Sequence, residues 1–231
     1  VSPAPHPMQD APRQDPLPRL NEPAPYFEAE TTHGHRRLED FAGRWLVLFS
    51  HPADFTPVCT SEFVAFSRMH PRFEEIDCDL LGLSVDSRFS HIAWVRNIEQ
   101  NFGIQVPFPV IEDVSMRVAS AYGMIHPGAS DTSAVRSTFV IDPDGILRAM
   151  LIYPMTTGRS VDEILRLVQA LQVSANHRVA TPEGWRPGSP VVAPPPQTTH
   201  EAAERVAEGG VCPDWYFAER DVPSHRTPPQ S

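Results

Sequence analysis

The sequence predicts an α/β fold in which helices flank a mixed central sheet, with an extended C-terminal arm attached. Short apolar runs alternate with segments whose apolar residues recur at helical spacing. A tight-turn tetrapeptide, Asp142-Pro143-Asp144-Gly145, adds an antiparallel hairpin late in the pattern. Near residue 175 the composition changes to scattered prolines, which marks the end of the compact domain. A length of 231 residues and 41% hydrophobic content suffice for one large domain, or a standard domain with an appended arm.

Residues 1–21 carry repeated prolines and few large apolar side chains, so they read as a disordered or extended leader. The folded domain is expected over residues 22–175. Residues 45–50 form a continuous apolar run bounded by Gly43 and Pro52, which predicts a buried central strand. A helix follows, its start marked by Thr60 or Ser61 with Glu62, its buried face by Phe63, Phe66 and Met69, and its end or bend by Pro71. Residues 80–85 predict a second buried strand, Ser90 the cap of a helix through Trp94 and Ile98, and Val110-Ile111 a short strand. Residues 114–122 predict another short helix. Residues 137–141 and 146–153 are the two strands of the hairpin, and a long amphipathic helix runs from 160 to about 173 with Ile164, Leu165, Val168 and Leu171 on one stripe. This order is the layering of thioredoxin-like folds.

The arm, residues 176–231, contains one predicted helix over 199–208. Trp185, Val191, Val192, Trp215, Tyr216 and Phe217 give it too much apolar surface to stay solvated, which predicts packing on a partner subunit; folding back on its own domain is the alternative.

Net charge is −10 and every basic side chain is Arg, so no basic stripe is available for nucleic acid or anionic lipid. No run approaches the ~20 apolar residues that cross a bilayer. Three cysteines, an odd number in a long chain, do not form the framework of a secreted disulfide scaffold, and a cytoplasmic location is expected.

Cys59 falls where the strand ending at Ser50 passes through residues 52–58 into a helix, which places its sulfur in the first helical turn. A free thiol is only a few per cent thiolate at neutral pH; a helix N-terminus and a nearby cation favour the anion, which is the nucleophile. A cysteine so placed can equally be a small buried hydrophobe. The neighbours decide the matter. Residues 51–60, His-Pro-Ala-Asp-Phe-Thr-Pro-Val-Cys-Thr, resemble the active-site signature of peroxiredoxins, and Glu62 follows three residues after the Cys. Arg136 before Ser-Thr-Phe-Val-Ile, then Asp-Pro-Asp-Gly, Tyr153-Pro154, Thr157-Gly158-Arg159 and residues 162–166 are similar to the one-cysteine subfamily typified by peroxiredoxin 6. The likeness spans roughly Pro23 to Pro223 and includes Thr181-Pro182 and residues 185–188 of the arm.

This resemblance implies a thiol-dependent peroxidase acting on hydrogen peroxide and organic hydroperoxides. Cys59 would be the attacking thiolate, passing through a sulfenic acid. Arg136 would keep it ionised and bind the peroxide, and Thr56 would offer its hydroxyl to the peroxide oxygens. Pro52 would screen the site from water. Glu62 would orient Arg136, and Arg159 would join that network or hold the substrate mouth. His51 would position substrate or sulfenate, with a hydrogen-bonded structural imidazole as the alternative. The sulfenic acid would be reduced by an external thiol or by Cys212, a candidate resolving cysteine in the arm. Cys78, between two aspartates, reads as non-catalytic. A homodimer, or a higher ring such as a decamer, is the expected assembly.

The pattern breaks in one place. Peroxiredoxin 6 proteins of the mammalian type carry a proposed lipase segment, Gly-Asp-Ser-Trp-Gly after a His, whereas residues 39–46 here read Glu-Asp-Phe-Ala-Gly-Arg-Trp-Leu, with both the Ser and the His missing and so no nucleophile and base pair. Lipid acyl transfer is therefore not expected. Of the ten histidines only His33 and His35 stand close in sequence, so no metal is expected, and thiolate and peroxide need no cofactor. Two other functions use the same fold: a holdase scaffold, and a biosynthetic catalyst working on another electrophile.

Overall fold

The computed structural model describes residues 17–130, 132–208 and 213–222. Most of the expected leader and Cys212 lie outside the described residues.

A seven-stranded mixed sheet forms the centre, in the order β2-β1-β5-β4-β3-β6-β7. Its strands are β1 (Glu28–Thr31), β2 (Gly34–Arg37), β3 (Trp45–Ser50), β4 (Cys78–Ser84), β5 (Val110–Glu112), β6 (Arg136–Ile141) and β7 (Leu147–Tyr153). β3, β4 and β5 run parallel, while β6 lies antiparallel to β3 and β7 to β6. Side chains alternate across a strand, so β3 feeds two cores. Trp45, Val47 and Phe49 meet Phe63, Phe66 and Phe73 of α1 (Pro57–Glu74) on one face. Leu46 and Leu48 meet Phe139, Tyr122 and Val118 on the other. The first face also carries α2 (Arg88–Phe102) and α4 (Val161–His177); α3 (Arg117–Ala121) covers the second.

Several boundaries differ from expectation. α1 starts at Pro57 with Thr56 as N-cap, not at Thr60 or Ser61, because proline suits the first helical position, where its missing N–H is not needed. The same helix passes through Pro71 to Glu74, where Phe73 is buried in the core and holds the last turn down. α2 is capped by Ser87, whose hydroxyl accepts from the Ser90 N–H. The helix expected over 114–122 is one turn, and α4 extends four residues past 173 to His177. The β1–β2 hairpin has no counterpart in the sequence reading, since its strands are short, polar and at the sheet edge.

In the arm, β8 (Val191–Val192) pairs with β9 (Glu219–Arg220), and α5 (Thr199–Glu208) lies between them in sequence. Trp185 and Val191 are buried against Ala170 of α4 in the same chain, whereas Trp215 and Tyr216 stay exposed. Among the described residues no helix is long and apolar enough to cross a membrane.

Gly82 of β4 fixes how closely α1 approaches the sheet: an added Cβ would meet Phe63 Cζ at 3.2 Å and Val110 at 3.5 Å. Gly82→Val therefore displaces Phe63, one turn beyond Cys59, and is expected to lower stability by about 1–3 kcal/mol in urea unfolding. An unchanged midpoint would show that the helix can ride up at no cost.

Candidate active site

β3 ends at Ser50 beside the C-terminal ends of its parallel neighbours, the edge where open α/β sheets present their sites. The chain then turns sharply. Phe55 adopts φ +56°, a left-handed conformation that costs an aromatic residue of order 1–3 kcal/mol. The turn is held from several directions. The Asp54 N–H donates to the Asp86 carboxylate (3.0 Å), and the Thr56 hydroxyl donates to the Ala53 carbonyl (2.8 Å). Pro57 then opens α1, which sets Cys59 at the third helical position, ahead of the first i to i−4 bond from the Thr60 N–H to the Thr56 carbonyl.

Cys59 is fully buried. Arg136, the first residue of β6, points Nη1 at its sulfur from 3.3 Å and gives the same nitrogen to Glu62 Oε2 at 2.8 Å. Its Nε and Nη2 both donate to the Met155 carbonyl, at 3.0 and 2.8 Å. Four contacts thus fix the guanidinium plane. Arg159 grips Glu62 from the other side: its backbone N–H and Nε reach Oε1 at 2.8 and 2.9 Å, and Nη2 reaches Oε2 at 2.8 Å. Its Nη1 is used by the Ser137 carbonyl, and its guanidinium lies 5.3 Å from the centre of the Phe49 ring. Of the two expectations for Arg159, the contacts seen are those of the charge network. Burial by itself raises the Glu62 carboxyl, but the hydrogen bonds and charge of Arg159, followed by Arg136, outweigh it and hold the group below its ordinary value.

A second polar cluster sits beside the first. His51 and His91 are both completely buried and share the carboxylate of Asp54: His51 Nε2 lies 2.9 Å from Oδ1, and His91 Nδ1 lies 3.1 and 2.9 Å from the two oxygens. Burial by itself raises the Asp54 carboxyl, yet the bonds from the two imidazoles bring it well below the usual carboxylate range. Burial lowers His51, against the pull of Asp54. The ring of His51 packs on Phe63 and Trp94, and its Nδ1 is buried without a hydrogen-bond partner.

Pro52 is half-buried at the start of the turn and Thr56 is half-buried at its end. The Thr56 proton is directed at Ala53, so what the hydroxyl presents outward is its lone pairs and not its hydrogen. Cys78 is buried at the start of β4, where burial first and Asp79 second push its thiol well above the ordinary range. His33 lies in the β1–β2 turn, and His35 is used by Glu28 and Glu30. Asp54 and His91 were not singled out from sequence. The signal was present in the matched segment, where Asp54 stands three residues from His51, but nothing local ties His91 to it; the fold brings α2 over the turn. Among the described residues, His51, Asp54 and His91 form one set close enough to hold a metal ion, and their facing atoms hydrogen-bond to each other.

The family model for AhpC/TSA matches residues 20–150, and that for the C-terminal domain of 1-Cys peroxiredoxin matches residues 170–209. The chain is 54% identical over 217 residues to a peroxiredoxin of Aquifex aeolicus, covering 89% of this chain and 98% of that one. It is 50% identical over 208 residues to peroxiredoxin 2 of Caldanaerobacter subterraneus subsp. tengcongensis, with 89% and 94% covered. Among solved structures, the yeast mitochondrial 1-Cys peroxiredoxin superposes with a TM-score of 0.78 at 37% identity, over 88% of this chain and all of that one. Peroxiredoxin 6 of Arenicola marina gives 0.74 at 36%, over 80% and 88%.

Replacing Glu62 by Gln would leave two buried guanidinium groups without their carboxylate, and a loss of about 3 kcal/mol is expected at pH 7. Because the folded Glu62 is held below its unfolded value, its contribution is complete above the ordinary carboxylate range and vanishes as pH falls through the folded value. The gap between wild type and Glu62→Gln should therefore begin to narrow below about pH 4 in urea titrations. A gap that persists unchanged at pH 3 would show that the charge of Glu62 is not what stabilises the site.

Proposed function

The chain belongs to the peroxiredoxin family, of the 1-Cys, peroxiredoxin 6 kind, and is a thiol-dependent peroxidase; we propose that Cys59 is its attacking sulfur and Arg136 its principal electrostatic partner. The observation that carries this reading is the 3.3 Å donation from Arg136 to the Cys59 sulfur within a buried network. An Arg keeps its charge at any physiological pH, so this donor favours the anionic nucleophile.

The thiolate bonds to the terminal oxygen of the hydroperoxide as the O–O bond breaks. The departing alkoxide takes up a proton and leaves as alcohol or water, and Cys59 becomes a sulfenic acid. Negative charge grows on the leaving oxygen, where Arg136 and the free N–H groups of the first turn of α1 are arranged to meet it. Thr56, its proton held by Ala53, serves as acceptor for the hydroperoxide O–H. His51 supplies a second acceptor through the unpartnered Nδ1, and Pro52 covers the turn. Glu62 and Arg159 fix Arg136. The relatives and neighbours do not favour the holdase or biosynthetic alternatives.

Regeneration requires two thiols: the first condenses with the sulfenic acid, releasing water, and the second frees Cys59 by exchange. The yeast mitochondrial neighbour has its thiol resolved via glutathione/thioredoxin systems, and a reductant of that chemistry suits a chain whose other described cysteine, Cys78, is buried and suppressed. Cys212 is the internal candidate. Peptide mapping after one equivalent of peroxide decides: a Cys59 to Cys212 linkage selects the internal thiol, an isolated sulfenate the external one. The exposed Trp215 and Tyr216 support an arm that reaches a partner in a homodimer, and the small number of cysteines supports a reducing, cytoplasmic setting.

Cys59→Ser is expected to abolish peroxide turnover, and Arg136→Gln to lower the second-order rate of Cys59 oxidation by about 10²–10³-fold. Stopped-flow fluorescence can follow the step, because Trp94 donates to Thr60, the residue after Cys59, from 3.3 Å. Turnover that survives Cys59→Ser would refute the assignment.

A further inference from the structure

Hydrogen-bond geometry at the second cluster points to one arrangement of its protons. His91 Nε2 lies 3.0 Å from the Ile111 carbonyl, and a carbonyl can only accept, so Nε2 carries a hydrogen. His91 Nδ1 faces both oxygens of Asp54, which is held ionised and also only accepts, so Nδ1 carries one too. His91 is then an imidazolium, ion-paired with Asp54. His51 donates from Nε2 to the same carboxylate, and with the single negative charge already matched by His91 it stays neutral. Its Nδ1 is thereby left as a lone pair, which is the buried atom without a partner.

The fold places His51 on the side of the sheet that holds the reacting group. Val47, Phe49 and His51 occupy the same face of β3 by strand alternation, the face that α1 covers with Cys59 and Phe63. Phe63 stands four residues after Cys59, one turn along the same side of the helix. The register that sets Phe49 opposite Thr138 brings Arg136 level with His51 on the adjoining strand.

We propose that His91 is a positioning residue for the peroxidase reaction, acting through Asp54 to hold His51 in the one tautomer that leaves Nδ1 free to accept a proton from the hydroperoxide or the nascent sulfenic acid. The proposal rests on the role given above to His51. Charged and titratable groups acting on the pair are Asp54 from the turn before α1 and Asp86 from the turn before α2. Without the His91 cation the Asp54 charge would draw a proton onto His51, both nitrogens of which would then donate, and the acceptor would be lost. Because deprotonating His51 restores it, the defect depends on pH. A residue that only fills space would cost rate or stability with no new ionisation.

The test combines histidine nitrogen NMR on the wild-type protein with pH profiles of Cys59 oxidation by hydrogen peroxide. Between pH 6 and 8 the wild-type spectrum should show His91 protonated on both nitrogens and His51 protonated on Nε2 alone; a neutral His91, or His51 protonated on Nδ1, overturns the proposal whether or not any variant folds. His91→Phe should slow oxidation by about tenfold or more near pH 6 and recover with rising pH, following a new ionisation absent from wild type. His91→Asn, whose amide can still donate to Asp54, should keep the bond without the cation and show the same limb. His51→Phe should slow oxidation at every pH and erase the limb when combined with His91→Phe. If His51→Phe leaves the rate intact, the reading of His51 itself fails. If it slows the reaction while His91→Phe gives a profile parallel to wild type, only the role of His91 falls.

Discussion

Glu62 is 2% exposed and lies between two guanidinium groups, so one negative charge answers two permanent positive ones in the interior of the protein. Unpaired buried ions cost several kcal/mol each, and the second Arg cannot shed its charge to escape that cost. The cluster is left one positive charge in excess, and the sulfur 3.3 Å from Arg136 is the group placed to neutralise it. In the proposed mechanism, ionising Cys59 and balancing the cluster are the same event. The placement of β6, the loop carrying Arg159 and the packing of α1 bring these groups together.

The cluster at Asp54 repeats the motif of one carboxylate between two bases but reaches a different electrical state. Its bases are imidazoles, which can give up a proton, so the shared charge need stabilise only one cation. In the proposed arrangement His91, with a carbonyl behind it, takes that role, and His51, pressed between Phe63 and Trp94, is the neutral partner. In the proposed arrangement the sulfur has a fixed donor in Arg136 and a fixed acceptor in His51. A hydroperoxide carries one O–H to donate and one oxygen that becomes anionic, and these two groups match that asymmetry.

The layered α/β order, β3, the hairpin across residues 142–145 and the helix at 199–208 were legible because each has a local cause: apolar runs, turn residues or helical spacing. Helix starts were less so. Thr60 and Glu62 look like a cap in sequence, but Pro57 and the strained turn at Phe55 decide the start, and the conformation of Phe55 depends on Asp86, more than thirty residues away. The same separation hid the partnership of Asp54 with His91. Cys59, Arg136 and Glu62 were found through a resemblance that quotes them as a set; spacing alone could not have joined residues 62, 136 and 159 into one ion cluster.

Burial sets one further condition on the chemistry. Cys59 exposes no surface, which suits a small peroxide meeting a preorganised, water-poor site, but an external thiol carried on a larger molecule cannot reach a sulfur enclosed in that way. In the proposed cycle, the resolving step therefore calls for the first turn of α1 to open. The ties that have to give are the Thr60 to Thr56 bond, the Arg136 contact to sulfur, the Thr56 to Ala53 link and the Asp54 to Asp86 bond. Working against them is the left-handed Phe55, whose strain is relieved when the turn relaxes. In the proposed cycle, oxidation removes the negative charge that Arg136 would face, so the step that consumes peroxide also weakens the tie between Arg136 and the sulfur and favours release of the sulfenic acid toward its reductant.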